Sequence, residues 1–159
     1  MKNLLICVFA IAAITAMPAR AAGGGGSDGL RDTWKDTGME QLQAAIDRAD
    51  WPQARELARA GVEKNPSSAD YHNLYAYALR KGPNPEMDLV FKHYNEALRL
   101  DPRHKGATEY LGEAYLMIGN LDKAKQQLRA LDDLCFFSCK ETAMLKKAIA
   151  DYEAKASAK

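Results

Sequence analysis

The fold is decided by residues 110–124, which read YLGEAYLMIGNLDKA. Leu111 and Tyr115 lie four residues apart, a spacing that places both side chains on one face of an α-helix. Gly119-Asn120 then interrupts the pattern with two residues that favour a tight turn. Ala124 follows at the start of a second periodic segment. The stretch therefore predicts two α-helices joined by a short turn.

The same residues resemble the centre of a tetratricopeptide repeat (TPR). Leu111, Gly112 and Tyr115 stand where the first helix of that repeat carries leucine, glycine and tyrosine, and Ala124 matches the small residue of its second helix. The resemblance implies an all-α superhelix of TPR type, in which helical hairpins stack on one another. It also implies a scaffold that binds other proteins and rarely performs chemistry.

Weaker copies of the pattern precede this stretch. Pro66 and Pro102 each follow a periodic segment and lie 36 residues apart, close to the family's 34-residue period. Asn84-Pro85 is predicted to begin the second helix of the middle unit. A final amphipathic segment is predicted to cap the open end of the stack. The predicted units are residues 35–66, 68–102 and 105–136, with a capping helix at about 140–156, within a repeat domain at 34–157.

Residues 1–21 have the features of a cleaved export signal. Lys2 precedes an uncharged apolar run over residues 4–17, and Ala19-Arg20-Ala21 offers small residues where a signal peptidase reads the chain. Cleavage is therefore predicted near Ala21/Ala22. The run is short for a membrane span, so no stable anchor is expected after cleavage; a retained anchor is the alternative.

The signal also bears on localisation. With the TPR resemblance, it predicts a small periplasmic protein of a Gram-negative bacterium, while composition alone is equally consistent with full secretion. Four consecutive glycines predict that residues 22–33 form a flexible leader. Trp34, which follows the leader, is predicted to dock on the first helix or to remain exposed for a partner.

The charge balance argues against nucleic acid as a partner. Cleavage takes two of the 22 basic residues and none of the 21 acidic ones, so the net charge changes from +1 to −1. A near-neutral chain lacks the basic surface that nucleic acid or an anionic membrane requires. The sequence has no phosphate-binding glycine loop, metalloprotease helix or GxSxG elbow. We therefore expect no catalytic residue, no cofactor and no metal, and we predict that His72, His93 and His104 are surface residues.

A partner is expected on the inner, concave face of the stack. The resemblance implies that side chains projecting inward from the first helix of each unit contact a bound protein or peptide, with hydrophobic anchors flanked by charge. Self-association is a further possibility. Clamps for chaperone carboxylate tails carry lysine and asparagine at inward positions, which is not the pattern here. The predicted binding residues are Met39, Gln43, Asp47, His72, Leu79, Arg80, Glu109, Glu113, Leu116 and Met117; Ile46, Ala76, Lys147 and Asp151 complete the face.

Two cysteines remain after the signal is removed. Cys135 and Cys139 form an even pair in an exported chain, which predicts a disulfide. Phe137-Ser138 is predicted to bend the chain so that the sulfur atoms meet. Two other roles stay open. In one of them the pair is a thiol-redox device. In the other it binds Cu(I), an ion that favours thiolate and thioether ligands.

Overall fold

The computed structural model describes residues 36–135 and 139–158. These residues form seven α-helices and no β-strand. The helices are α1 (Thr37–Asp47), α2 (Trp51–Lys64), α3 (Ala69–Lys81), α4 (Met87–Leu100), α5 (Lys105–Met117), α6 (Leu121–Leu134) and α7 (Lys140–Ser157). The predicted all-α fold, with three helical hairpins and a capping helix, is confirmed. The predicted export signal, the predicted leader, Trp34 and the predicted bend at Phe137-Ser138 lie outside the described residues.

Side chains at the helix starts explain most of these boundaries. The carboxylate of Asp50 accepts a hydrogen bond from the backbone N–H of Gln53 at the start of α2. Ser68 caps α3 and Asn120 caps α6 in the same way. Such a cap satisfies a backbone donor that the first turn leaves free, and each is worth about 1 kcal/mol. The turn before α6 is completed by Gly119, whose φ of 77° favours glycine.

One predicted boundary is wrong. Helix α4 begins at Met87 and not at Asn84-Pro85. The residue before a proline avoids the helical conformation, and Asn84 instead adopts a φ of 55°, which asparagine tolerates better than most residues. Glu86 therefore takes the N-cap position, without a side-chain capping bond.

The helices pack as three successive hairpins, α1–α2, α3–α4 and α5–α6, and α7 packs against both α5 and α6. Small buried residues allow close approach of the helices: Ala54, Ala58 and Gly61 line the buried side of α2. One apolar cluster extends from α1 to α5. A second cluster joins α5 and α6 to α7 through Ala124, Leu131, Leu145 and Ile149. Among the described helices, none combines the length and apolarity that a membrane span requires.

Candidate functional site

The predicted binding residues lie on α1, α3 and α5, the first helices of the three hairpins; we call the face that they share with α7 the inner face. Six of them keep solvent-accessible surface. Gln43 and Asp47 are exposed and joined to each other by a hydrogen bond of 2.9 Å. Met39, Glu113 and Leu116 are half-buried, and Met117 is 51% exposed. Whether these side chains bind a partner stays a prediction.

Four other predicted binding residues are buried. His72, Leu79, Arg80 and Glu109 are all less than 9% exposed. Their positions in the repeat are those of an inward face, but side chains from neighbouring helices cover them. The expectation that all ten residues line an open groove is therefore wrong. Six of them are accessible to a partner, and the other four lie buried beneath the inner face.

His72 and His93 are not surface residues, which corrects the prediction made for them. Their Nδ1 atoms lie 2.9 Å apart across α3 and α4, and the rings stack with centroids 5.1 Å apart. The Nε2 atom of His72 is 3.0 Å from the carbonyl oxygen of Pro66 and must donate to it. Neutral His72 then accepts at Nδ1 from the N–H of His93. Burial and electrostatic repulsion by the neighbouring His72 lower the pKa of His93 to about 4, which favours a neutral His93 in this contact.

Arg80 is the centre of a buried polar network beneath the inner face. Its guanidinium lies 2.7 Å from Glu113 and donates to the hydroxyl of Tyr94 at 3.3 Å. The guanidinium carbon also lies 5.5 Å from the ring centroids of both Tyr77 and Tyr110. A guanidinium beside aromatic rings gains cation–π stabilisation in addition to its ion pair. The sequence pattern did not single out Tyr77 and Tyr110; their alignment depends on the packing of α3 against α5.

Glu109 lies one helical turn before Glu113 on α5 and is 1% exposed. Its Oε1 atom has no hydrogen-bond partner among the described residues. Burial, together with the charge and hydrogen bonding of Glu113, raises the pKa of Glu109 to about 8, against the opposing effect of Arg80. The two carboxyl groups therefore share the positive charge of one arginine, and Glu109 holds a proton at neutral pH.

An apolar groove of about 320 Å³ lies between α5 and α7. Leu116 and Met117 line it from α5, and Ala148 and Tyr152 line it from α7, with Asp151 and Lys155 at its edge. Lys147 is 2.7 Å from Asp151 on the exposed face of α7. The groove thus combines apolar walls with charged edges, as a peptide-binding surface does.

A second cavity, of about 380 Å³, is lined by none of the binding residues that were predicted from the sequence. It lies between α2 and α3, where Trp51, Tyr75 and Pro83 contribute to its lining. The ring of Trp51 packs edge-on against Tyr77, with centroids 5.8 Å apart. A tryptophan at the first position of a helix, beside a proline-rich loop, is the only sequence signal that marks this place.

Cys135 and Cys139 are joined by a disulfide in the structure, with their Cα atoms 6.0 Å apart. Cys135 ends α6 and Cys139 precedes α7, so the bond connects the last repeat to the capping helix. The hydroxyl of Thr142 lies 3.3 Å from the sulfur of Cys139 and 3.6 Å from that of Cys135. In the described residues, no group of three or more histidine, cysteine or acidic side chains is arranged to hold a metal ion.

Comparison with known sequences decides the family. A sequence profile of the tetratricopeptide repeat matches residues 39–86 and 92–135, more than half of the chain. The chain belongs to the TPR family. No curated protein matches the TPR chain in sequence.

Solved TPR structures share its fold at low sequence identity. The TPR2B domain of yeast Sti1, in its pHsp70 complex, is 16% identical with a TM-score of 0.67, covering 76% of this chain and 96% of that domain. The type III secretion translocator chaperone SycD of Yersinia enterocolitica is 16% identical with a TM-score of 0.63, covering 84% and 96%. PcrH, in complex with the chaperone-binding region of PopD, is 19% identical with a TM-score of 0.59, covering 84% and 96%.

Proposed function

We propose that this TPR chain is a non-enzymatic interaction module that holds a peptide or helix of a partner protein on its inner face. The observation that carries the proposal is the groove between α5 and α7. The side chain of Met117, on the wall of the groove, is 51% exposed, although the transfer of a large apolar side chain out of water is favourable. An exposed apolar groove beside charged side chains is typical of a surface that a partner covers.

The similar structures support the proposal at the level of the fold. The Sti1 domain is seen with pHsp70 and PcrH with a region of PopD, so the same arrangement of helices accommodates segments of other proteins. Their low identity to this chain gives no information about its own partner. We expect the partner to differ from a carboxylate-tailed peptide, because the inner face carries Glu109 and Glu113 where such clamps are basic.

Site-specific photocrosslinking tests the groove. A photoreactive phenylalanine analogue at position 117, inside the groove, should form a discrete adduct with one partner in cells. The same analogue at Met144 is the matched control, since Met144 is 47% exposed but does not line the groove. Adducts of equal yield from both positions, or none from position 117, would contradict the assignment of the binding surface.

We also propose that the chain acts in the periplasm after removal of residues 1–21. The support is the export signal at residues 1–21. Cell fractionation and N-terminal sequencing test it together, with the mature protein expected to begin at Ala22. Recovery of the intact chain from the cytosol or the membrane would refute it.

The thiol-redox or copper-handling role remains a second candidate, supported by the cysteine pair between α6 and α7. In a disulfide the sulfur atoms cannot ligate Cu(I) as thiolates, so this role requires a reduced form. Thiol labelling of protein taken directly from cells distinguishes the two candidates. Full protection of Cys135 and Cys139 from labelling until reduction, with no bound copper, would eliminate the second candidate.

A further inference from the structure

The polar network beneath the inner face has more carboxyl groups than cations. Glu109 and Glu113 lie on α5, and Glu141 on α7 acts on Glu109 as a further negative charge. In the part of the chain that the structure describes, Arg80 is the one buried residue with a permanent positive charge, and it is 7% exposed. Lys140 lies 3.9 Å from Glu141, but its side chain is 83% exposed, so water screens its charge.

Arg80 makes no hydrogen bond to Oε1 of Glu109, and its own Nη2 atom, although 2.7 Å from Glu113, is also without a well-directed hydrogen bond. Its guanidinium contacts Glu113 and Tyr94 and lies beside the neighbouring rings of Tyr77 and Tyr110. The Oε1 atom of Glu109 remains without a hydrogen-bond partner among residues 36–135 and 139–158, in a side chain that is 99% buried. Buried polar atoms are nearly always paired in folded proteins, so an unpaired carboxyl oxygen in a side chain beside Glu113 favours a donor that is supplied from outside.

We propose that the partner supplies this donor as a basic side chain, a lysine or an arginine, that binds beside Glu113 and reaches toward Glu109. This inference rests on the proposed binding of a partner segment at the inner face. Glu113 is the point of access because its side chain is 28% exposed. Tyr77 and Tyr110 lie close to the same carboxyl groups, and their rings are already contacted by the guanidinium of Arg80.

The geometry of α5 also sets the spacing of the partner's residues. Glu113 and Met117 are four residues apart on one helical face, a rise of about 6 Å. An extended peptide advances about 3.3 Å per residue, so about two residues span that distance. Residues two apart in an extended chain point to the same side. The partner segment should therefore carry a basic residue two positions from an apolar residue that enters the groove at Met117.

Selection from a phage-displayed library of random nine-residue peptides tests this pattern, with the exported chain as bait. We expect enrichment of peptides with lysine or arginine two positions from an apolar residue. A synthetic copy of the best peptide with glutamine in place of the base should bind at least tenfold more weakly. Lysine and arginine copies of the same peptide, compared side by side, show which base the network prefers.

Variants of the chain separate specific recognition from general charge attraction. Glu113→Gln should lose the preference for a base. Glu63→Gln is the matched control, because it also removes one carboxylate but lies exposed on α2, paired with Arg59. Equal losses in the two variants would overturn the inference, since bulk charge would then explain the selection.

A pH series on Glu109 supplies a second readout. The affinity of the basic peptide should rise roughly tenfold between pH 7 and pH 9, because Glu109 loses its proton near pH 8 while the base stays charged. Glu109→Gln should make the affinity independent of pH over this range, at unchanged thermal stability. A rise of the same size in Glu109→Gln would overturn the role of Glu109.

The outcomes also distinguish this inference from the proposed function. Suppose that the selected peptides lack a base and that Met117→Asp abolishes their binding. The groove would then stand as a binding surface, and the proposal of a basic partner residue would be refuted. A failure to select any peptide that depends on Met117 would refute both proposals.

Discussion

Gly61 provides the sharpest test of how the repeats are held together. It is buried on α2, and a Cβ atom added there would lie 2.0 Å from Cδ1 and Cε1 of the Tyr71 ring on α3. The ring is not free to rotate away, because its hydroxyl donates a hydrogen bond of 2.7 Å to Asp36, which also caps α1. The variant Gly61→Ala must therefore separate α2 from α3 or break the bond between Tyr71 and Asp36.

The expected cost follows from these contacts. Forcing an extra methyl group into a packed core costs about 1–3 kcal/mol and occasionally more, and the 2.0 Å approach to the Tyr71 ring places this site at the upper end of that range or above it. Alanine recovers about 1 kcal/mol through its higher helix propensity. We expect Gly61→Ala to lower the free energy of unfolding by about 2–4 kcal/mol, which for a domain of this size lowers the melting temperature by roughly 6–15 °C.

Thermal and urea unfolding, followed by circular dichroism at 222 nm, measures this change. Gly106→Ala is the matched control, because the nearest heavy atom to its added Cβ would be 3.4 Å away, at His104. It should leave stability unchanged or raise it by up to about 1 kcal/mol. Similar stabilities of the two variants would refute the packing argument. Tyr71→Leu in the Gly61→Ala background should recover part of the loss if the ring is the cause.

Three further predictions test the buried network and the cysteine pair. Burial and the neighbouring imidazole lower the pKa of His93 to about 4 from its ordinary 6.5. As the pH drops from 6.5 toward 4, the unfolded chain therefore binds this proton before the folded chain does, and the free energy of unfolding falls. Urea unfolding should show a loss of about 3 kcal/mol at most over this range, and the loss should be absent in His93→Gln. The variant Arg80→Leu should cost about 2–4 kcal/mol, measured by its urea midpoint, because it strands the hydroxyl of Tyr94 and removes a buried ion pair. Reducing the bond between Cys135 and Cys139 should cost about 2 kcal/mol or less, because it opens a loop of only a few residues, and an unfolding midpoint that shifts much further on reduction would show that α7 depends on it.

The course of the chain from helix to helix could be predicted because it depends on local features. In the stretch at residues 110–124, apolar spacing, Gly119 and the cap at Asn120 act within a few residues of each other. Gly112, which stands where the repeat carries glycine, lies at a close contact in the structure; an added Cβ there would lie 2.6 Å from Leu145 on α7. The first residue of α4 was predicted wrongly. Two prolines near Asn84 keep the helix from beginning before Met87, and the spacing of apolar residues gives no information about this effect.

The candidate site could be predicted only as a set of positions. Repeat spacing assigned His72, Glu109 and Met117 to the same face without distinguishing how deeply each lies. The structure covers His72 with His93, 21 residues away, and buries Glu109, whereas Met117 stays exposed. Depth depends on which side chains from other helices arrive at the same place, and spacing within one helix contains no information about them.

The sequence by itself therefore determined the family and the helical hairpins, because turns, caps and apolar periods act over a few residues. Only the tertiary structure decided that the positive charge of Arg80 is shared by two carboxyl groups and that a groove opens beside Met117. Both features arise where α3, α5 and α7 meet, and the charge balance of such a junction depends on residues that are distant in the chain and close in space.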